Sequence, residues 1–403
     1  MTHAERASRW ARRFVLAGAA WLAVWQVAEL AGTTRRAAVT LGLLGFVLHT
    51  VFGKAYALVP PYFDRDLATT RLMPVHLVCS VAGTLLLAGA ASGVGRAVLP
   101  TPAVELLALA GAALWTVGVA VFLGTLGWTV RGNLLGGETG TGEVNAERRP
   151  VDRAANLAVP VAVGYLALGS YALLAAHAPL PTLLDGYAPR ASHLLGAGFA
   201  TLTLFAVGFR LLPRFLVAHP PRVLVTVVLP AGAIGPALLA VGLPAGPVFR
   251  LGAAAEAIAV IGFATALGVT FARSDRHRVG LDAVLVAVAL GSLAAFLGLT
   301  FAVEPPTAEL VTAHRRLNLL GFLGLAIVGA SYQFYPPTVG SFRGASDRTA
   351  LAVIGLVAGG LLVEVAGLLG GATYLVTGGR LAATLGATVH LGLLVALFRE
   401  RFG

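Results

Sequence analysis

Cysteine occurs once in this 403-residue chain, as Cys79, and lysine once, as Lys54. A single thiol rules out an intrachain disulfide, and without a second one a cluster held by several thiolates is excluded as well. Charge is scarce too: 12% of residues are charged against 57% hydrophobic, a balance far from that of soluble domains. No polar stretch is long enough to fold alone. The longest, 131–153, contains the glycine-rich run from Gly136 to Gly142 and reads as a flexible cytoplasmic loop between two six-helix halves.

What the chain does have is apolar length. A membrane-spanning helix needs about 20 apolar residues, and windows of that kind recur along the whole sequence, the first near 14–33 and the last near 374–398. Exposed backbone cannot face hydrocarbon, so such windows joined by short polar turns mean helices and not a barrel. The expectation is all-α: a polytopic bundle of about twelve transmembrane helices forming one integral membrane domain over 1–403. The basic start followed by an apolar run lacks a clear small-residue cleavage site and reads as a retained first helix.

The net charge of +11 raises the question of nucleic acid, but the basic residues sit in loops in a way that marks topology instead. Alternate loops hold most of them, which places both termini in the cytoplasm of a cell-membrane protein whose main partner is the lipid bilayer.

Three segments repeat a pattern: Gly45-Phe46 to Pro60, Gly198-Phe199 to Pro213, and Gly321-Phe322 to Pro336. In each, Phe precedes Pro by 14 residues and an aromatic, Tyr56, Phe209 or Tyr332, stands four before the Pro. These fall in the second, sixth and tenth spans, so the period is four helices and the pseudo-repeats run over about 1–93, 103–242 and 247–403. Each proline is expected to end its helix.

Ionisable groups inside spans are costly and usually face a bundle interior. Five histidines lie within or near the ends of spans: His49, His76, His193, His314 and His390. Imidazole is the usual protein ligand of haem iron and copper, although a lone one serves equally to bond a neighbouring backbone group. Depth along the helices pairs His193 with His314, and His49 with His390. The carboxylates Glu29, Glu105, Glu256, Glu309 and Glu364 fall in the outer halves of their helices, on the side of Arg315 and Arg316. Such a layer suits haem propionates, proton conduction or substrate binding, while Glu105, Glu309 and the arginines also suit interfacial snorkelling.

On these residues the chain resembles the catalytic-subunit superfamily of haem-copper oxidases and nitric oxide reductases, whose twelve helices form three arcs of four. His193 precedes Pro213-Arg214 by 20 residues, as a copper-ligating His does in that family. His314 stands where the family ligates its high-spin haem, ahead of Gly321-Phe322 and the terminal Tyr335-Pro336-Pro337. Arg316 replaces the low-spin haem ligand of helix 10, and the partner column on helix 2 falls near Ala38. Ala237 and Leu238 stand where helix 7 carries two copper ligands. The His, Gly-Phe and Pro pattern is also similar to that of NnrS-type membrane proteins. The resemblance implies a divergent cytochrome oxidase subunit I-like scaffold that holds one haem or a copper ion through interior histidines. Electron transfer with a redox partner protein, nitric oxide or gas response, and metal handling are its implied roles, without competent oxygen reduction. The alternatives are a proton-coupled transporter or channel built on the intramembrane Glu and His, or a subunit that only scaffolds partners.

Overall fold

The computed structural model describes residues 3–402, and every regular element among them is helical. Twelve helices are long and apolar enough to cross a membrane. They are α1 Ala4–Leu30, α2 Arg35–Tyr62, α3 Met73–Ala91, α4 Thr101–Val130, α5 Glu143–Ala175 and α6 Ala188–Leu216, followed by α7 Arg222–Gly242, α8 Pro247–Ala272, α9 Val279–Thr300, α10 Ala308–Val339, α11 Asp347–Leu369 and α12 Thr373–Phe402. The chain is therefore a multi-pass membrane protein in contact with lipid. Local chemistry sets several starts: Thr34, Thr307 and Ser346 cap α2, α10 and α11 through side-chain oxygens, and Pro102, Pro189 and Pro247 stand in first turns, where a missing N–H costs nothing.

Three helices lie inside the rest. Burial reaches 78% in the apolar window of α2 and 72% in those of α6 and α10, whereas no other helix exceeds 50%. Each of the three also leaves α geometry for a π-helical stretch, over Thr40–Leu48, Leu194–Thr201 and Leu317–Gly324, and each stretch contains its Gly-Phe pair. Such stretches are rare and recur at functional sites. Glycine lets neighbours approach them closely: a Cβ at Gly45 would lie 2.9 Å from Trp21, at Gly198 2.5 Å from Tyr165, and at Gly321 2.9 Å from Leu361. The outer helices form tight antiparallel pairs, α3 with α4, α7 with α8 and α11 with α12. Next, α4 packs on α5, α8 on α9, and α12 returns to α1.

Two expectations about the backbone are corrected. Pro60 and Pro213 do not end their helices; α2 runs on to Tyr62 and α6 to Leu216, because a proline in the last turn forfeits a single bond near the polar boundary. Segment 131–153 follows the fourth span, so it does not divide the chain into six-helix halves, and it is tied down. Asn133 Nδ2 donates to Phe63 O at 2.9 Å, Asn156 Nδ2 to Gly136 O at 3.1 Å, and Thr141 Oγ1 to Asp152 Oδ2 at 2.6 Å. Gly136 and Gly140 take φ of +67° and +60°, so these glycines supply left-handed turns in a fixed path.

Candidate functional site

A buried ionic network joins α1, α10, α11 and α12 at one end of the bundle. Glu364 Oε2 accepts from Arg316 Nε at 2.8 Å and Nη2 at 2.6 Å, and its Oε1 accepts from Arg380 Nε at 2.9 Å. Glu29 accepts from both terminal nitrogens of Arg315 and from Trp25 Nε1 at 2.9 Å, and stands 3.8 Å from Arg316. Gln26 Oε1 accepts from Arg316 Nη2 at 2.9 Å, and Arg380 Nη1 reaches the Glu29 carbonyl at 3.0 Å. Arg316 and Glu364 are wholly buried. Three guanidinium groups face two carboxylates, and the buried polar atoms left without partners at Gln26, Arg315 and Arg316 are all N–H donors. The excess is therefore cationic, the polarity that a propionate or other anion would complement. Four of the expected residues, Glu29, Arg315, Arg316 and Glu364, meet here. Arg380, Gln26 and Trp25 were missed; Gln26 sits one turn before Glu29 on α1, so the turn spacing carried a signal.

His314 directly precedes Arg315 of this network on α10, and His193 stands in the first turns of α6. His193 Nδ1 lies 2.7 Å from Pro189 O, and His314 Nδ1 lies 3.1 Å from Ala294 O. A carbonyl only accepts, so each Nδ1 carries the proton and each Nε2 keeps its lone pair. Asn318 Nδ2 approaches that lone pair of His314 at 3.3 Å, and the ring of Phe301 stands 5.2 Å from the imidazole. In the turn before α6, Arg190 bonds Asp185 at 2.7 and 2.8 Å and holds its carboxyl down to about 2.

No contact joins His49 to His390. His49 lies near His76 of α3, while His390 Nδ1 pairs with Tyr332 OH at 3.0 Å. Equal depth along two helices does not make these histidines partners, because the helices turn their imidazole faces in different directions. Glu256 stands apart from the network: its Oε1 is buried without a partner, and a Cβ at Gly235 of α7 would lie 2.9 Å from it. Glu105 and Glu309 are exposed, as snorkelling requires. Among the described residues, no three His, Cys, Asp or Glu side chains form a group suited to a metal ion.

At the opposite end a second cluster was missed because its arginines were read as loop markers. Arg210 is buried, stacks 4.0 Å over Tyr62, donates to Asn156, and lies 3.4 Å from Asp152, which Arg214 also engages at 2.7 Å. Lys54, also counted among the basic residues that mark topology, lies within α2, its ammonium 3.8 Å from the ring of Phe334 and 4.2 Å from that of Tyr335. The spacing Asp152 to Asn156 and Arg210 to Arg214, one helical turn each, was the available signal. No protein-family model matches the chain, and no curated protein matches it.

Proposed function

We propose that this chain is a divergent oxidase-like membrane protein that holds one transition-metal centre, a copper ion or a haem iron, between His193 and His314. The observation that carries the reading is the shared orientation of the two imidazoles: each has Nδ1 fixed on a backbone carbonyl, which orients the ring and presents Nε2 as the ligand atom, at His314 in competition with Asn318 Nδ2. The cationic excess of the neighbouring Arg and Glu network favours an anionic group such as a propionate. When bound, the centre would supply one-electron chemistry or gas binding, in electron transfer, nitric oxide response or metal handling.

The threefold plan belongs to the same proposal. Its support is the inner position of α2, α6 and α10, the π-helical stretch in each, and the recurrence of tight pairing in α3/α4, α7/α8 and α11/α12. The basic loops favour a cell-membrane orientation with the Asp152 end in the cytoplasm and the Glu29 end outside. The residues do not fit the complete family centres. Ala237 and Leu238 offer no copper ligand on α7, and Arg316 is committed to Glu364 and Gln26, so oxygen reduction is not part of the proposal.

The test is an absorption spectrum with metal analysis of the purified protein, repeated on single alanine variants. A Soret band, or one equivalent of bound copper, that His193→Ala and His314→Ala each remove, while His390→Ala retains it, is the expected result. Wild-type metal and haem content in both His193→Ala and His314→Ala would refute the reading. Proton-coupled transport is the second reading, favoured by the unpartnered buried oxygen of Glu256; substrate-driven proton uptake in vesicles that Glu256→Gln abolishes would support it.

A further inference from the structure

Two more imidazoles share one aromatic cage. His49 on α2 and His76 on α3 are both wholly buried, and Nε2 of each is buried without a hydrogen-bond partner. Their other nitrogens are held: His49 Nδ1 stands 2.8 Å from Leu44 O, and His76 Nδ1 stands 3.0 Å from Tyr56 OH. The same rings enclose both. Phe14 lies 6.4 Å from His49 and 4.8 Å from His76, and Phe52 lies 6.5 and 4.6 Å from them, centroid to centroid. Trp115 and Phe122 complete the enclosure at 6.3 Å from His49 and 5.5 Å from His76.

We propose that His49 and His76 form a binding site for monovalent copper inside this aromatic cage, separate from the pair on α6 and α10. A buried polar atom left unpaired is destabilising, and two in one enclosure point to a shared occupant that accepts lone pairs. The Leu44 carbonyl fixes the tautomer of His49, so its Nε2 is a ligand atom. With the Tyr56 hydroxyl accepting from His76 Nδ1–H, His76 Nε2 is the second, and the occupant gains two neutral nitrogen ligands. The enclosing side chains are aromatic rings without charge, so a divalent ion would keep its full double charge in an apolar interior, which is prohibitive. Cu+ carries half that charge, accepts two-coordinate imidazole ligation, and is favoured by aromatic faces around it. Sequence usage agrees. The chain has two methionines, and the one that is not the first residue, Met73, is wholly buried three residues before His76, on the adjoining turn of the same helix side; a thioether is a soft donor that selects Cu+.

The experiment is an anaerobic Cu+ titration against a chromogenic chelator, with X-ray absorption of the bound copper. In the His193→Ala/His314→Ala variant, which leaves the cage intact, one Cu+ per chain in a two-nitrogen shell is expected, and adding His76→Phe should remove it. No Cu+ bound by the double variant, or full retention after His76→Phe, overturns the proposal and leaves a bridging water as the occupant of the cage. Should the double variant fail to fold, His76→Phe in the wild-type chain carries the same test: loss of one Cu+ supports the site, and an unchanged stoichiometry overturns it. Because the two pairs are varied separately, failure at His193 and His314 is distinguishable from failure here.

Discussion

Replacing Glu364 with Leu tests the buried network most directly. Glu364 receives three charge-assisted hydrogen bonds, at 2.8, 2.6 and 2.9 Å, from Arg316 and Arg380. Its loss leaves three guanidinium groups facing Glu29 alone, and Arg316, fully shielded from solvent, keeps Gln26 at 2.9 Å and a 3.8 Å approach to Glu29. Breaking a buried ion pair from one side typically costs about 3–5 kcal/mol, since the remaining charge is desolvated without compensation. The expected loss for Glu364→Leu is therefore about 3–5 kcal/mol, read as the shift of an unfolding transition in mixed-detergent titration. Removing both partners, in Glu364→Leu/Arg316→Leu, restores the original excess of one cation, now two arginines against one glutamate, and should recover at least half of the loss, because apolar pairs replace buried ion pairs at little or no net cost. A single-variant loss below about 1 kcal/mol, the range of solvated surface pairs, would refute the view that the network is a desolvated clamp.

Glycine contacts give a second measurement: Gly198→Ala, whose Cβ would meet Tyr165 at 2.5 Å, should destabilise by about 1–3 kcal/mol, whereas Gly164→Ala, with nothing within 4 Å, should be neutral or slightly stabilising in the same titration. Orientation is checked by impermeant thiol labelling of intact cells carrying Cys79→Ala and one of Val144→Cys, Leu183→Cys or Arg276→Cys; only the Leu183 position should react, and reaction at Val144 would invert the assignment. Acid acts on the turn before α6. The Asp185 carboxyl is held at about 2, below its ordinary 3.8, so its pairing with Arg190 contributes fully above about pH 4 and is lost as pH falls through about 2. Hydrogen exchange in residues 183–187 should therefore be flat from pH 7 to about 4, after correction for intrinsic rates, and accelerate below about 3.

The number and positions of the spans were legible from residue order, because apolar length over a single helix is a local property that lipid reads directly. So was the Gly-Phe to Pro pattern on the second, sixth and tenth spans, the three helices that tertiary packing then buries most. Within the network, Glu29, Arg315, Arg316 and Glu364 were identified by being charged at equal depth. What depth does not specify is azimuth. Arg380 meets the Glu29 carbonyl from 351 positions away, and His49 finds His76, not His390, because partnership inside a bundle depends on which faces of two helices are turned toward each other. Arg210 and Lys54 show the same from the opposite side: an apolar window and a basic flank place a residue near a boundary, and only the packing of α2, α5, α6 and α10 decides that Arg210 is buried and that Lys54 lies over an aromatic ring. Helix formation in lipid is satisfied within each segment, so the sequence by itself determines the spans; the pairing of buried charges and imidazoles requires groups from several segments to meet in one desolvated place, and that only the tertiary structure decides.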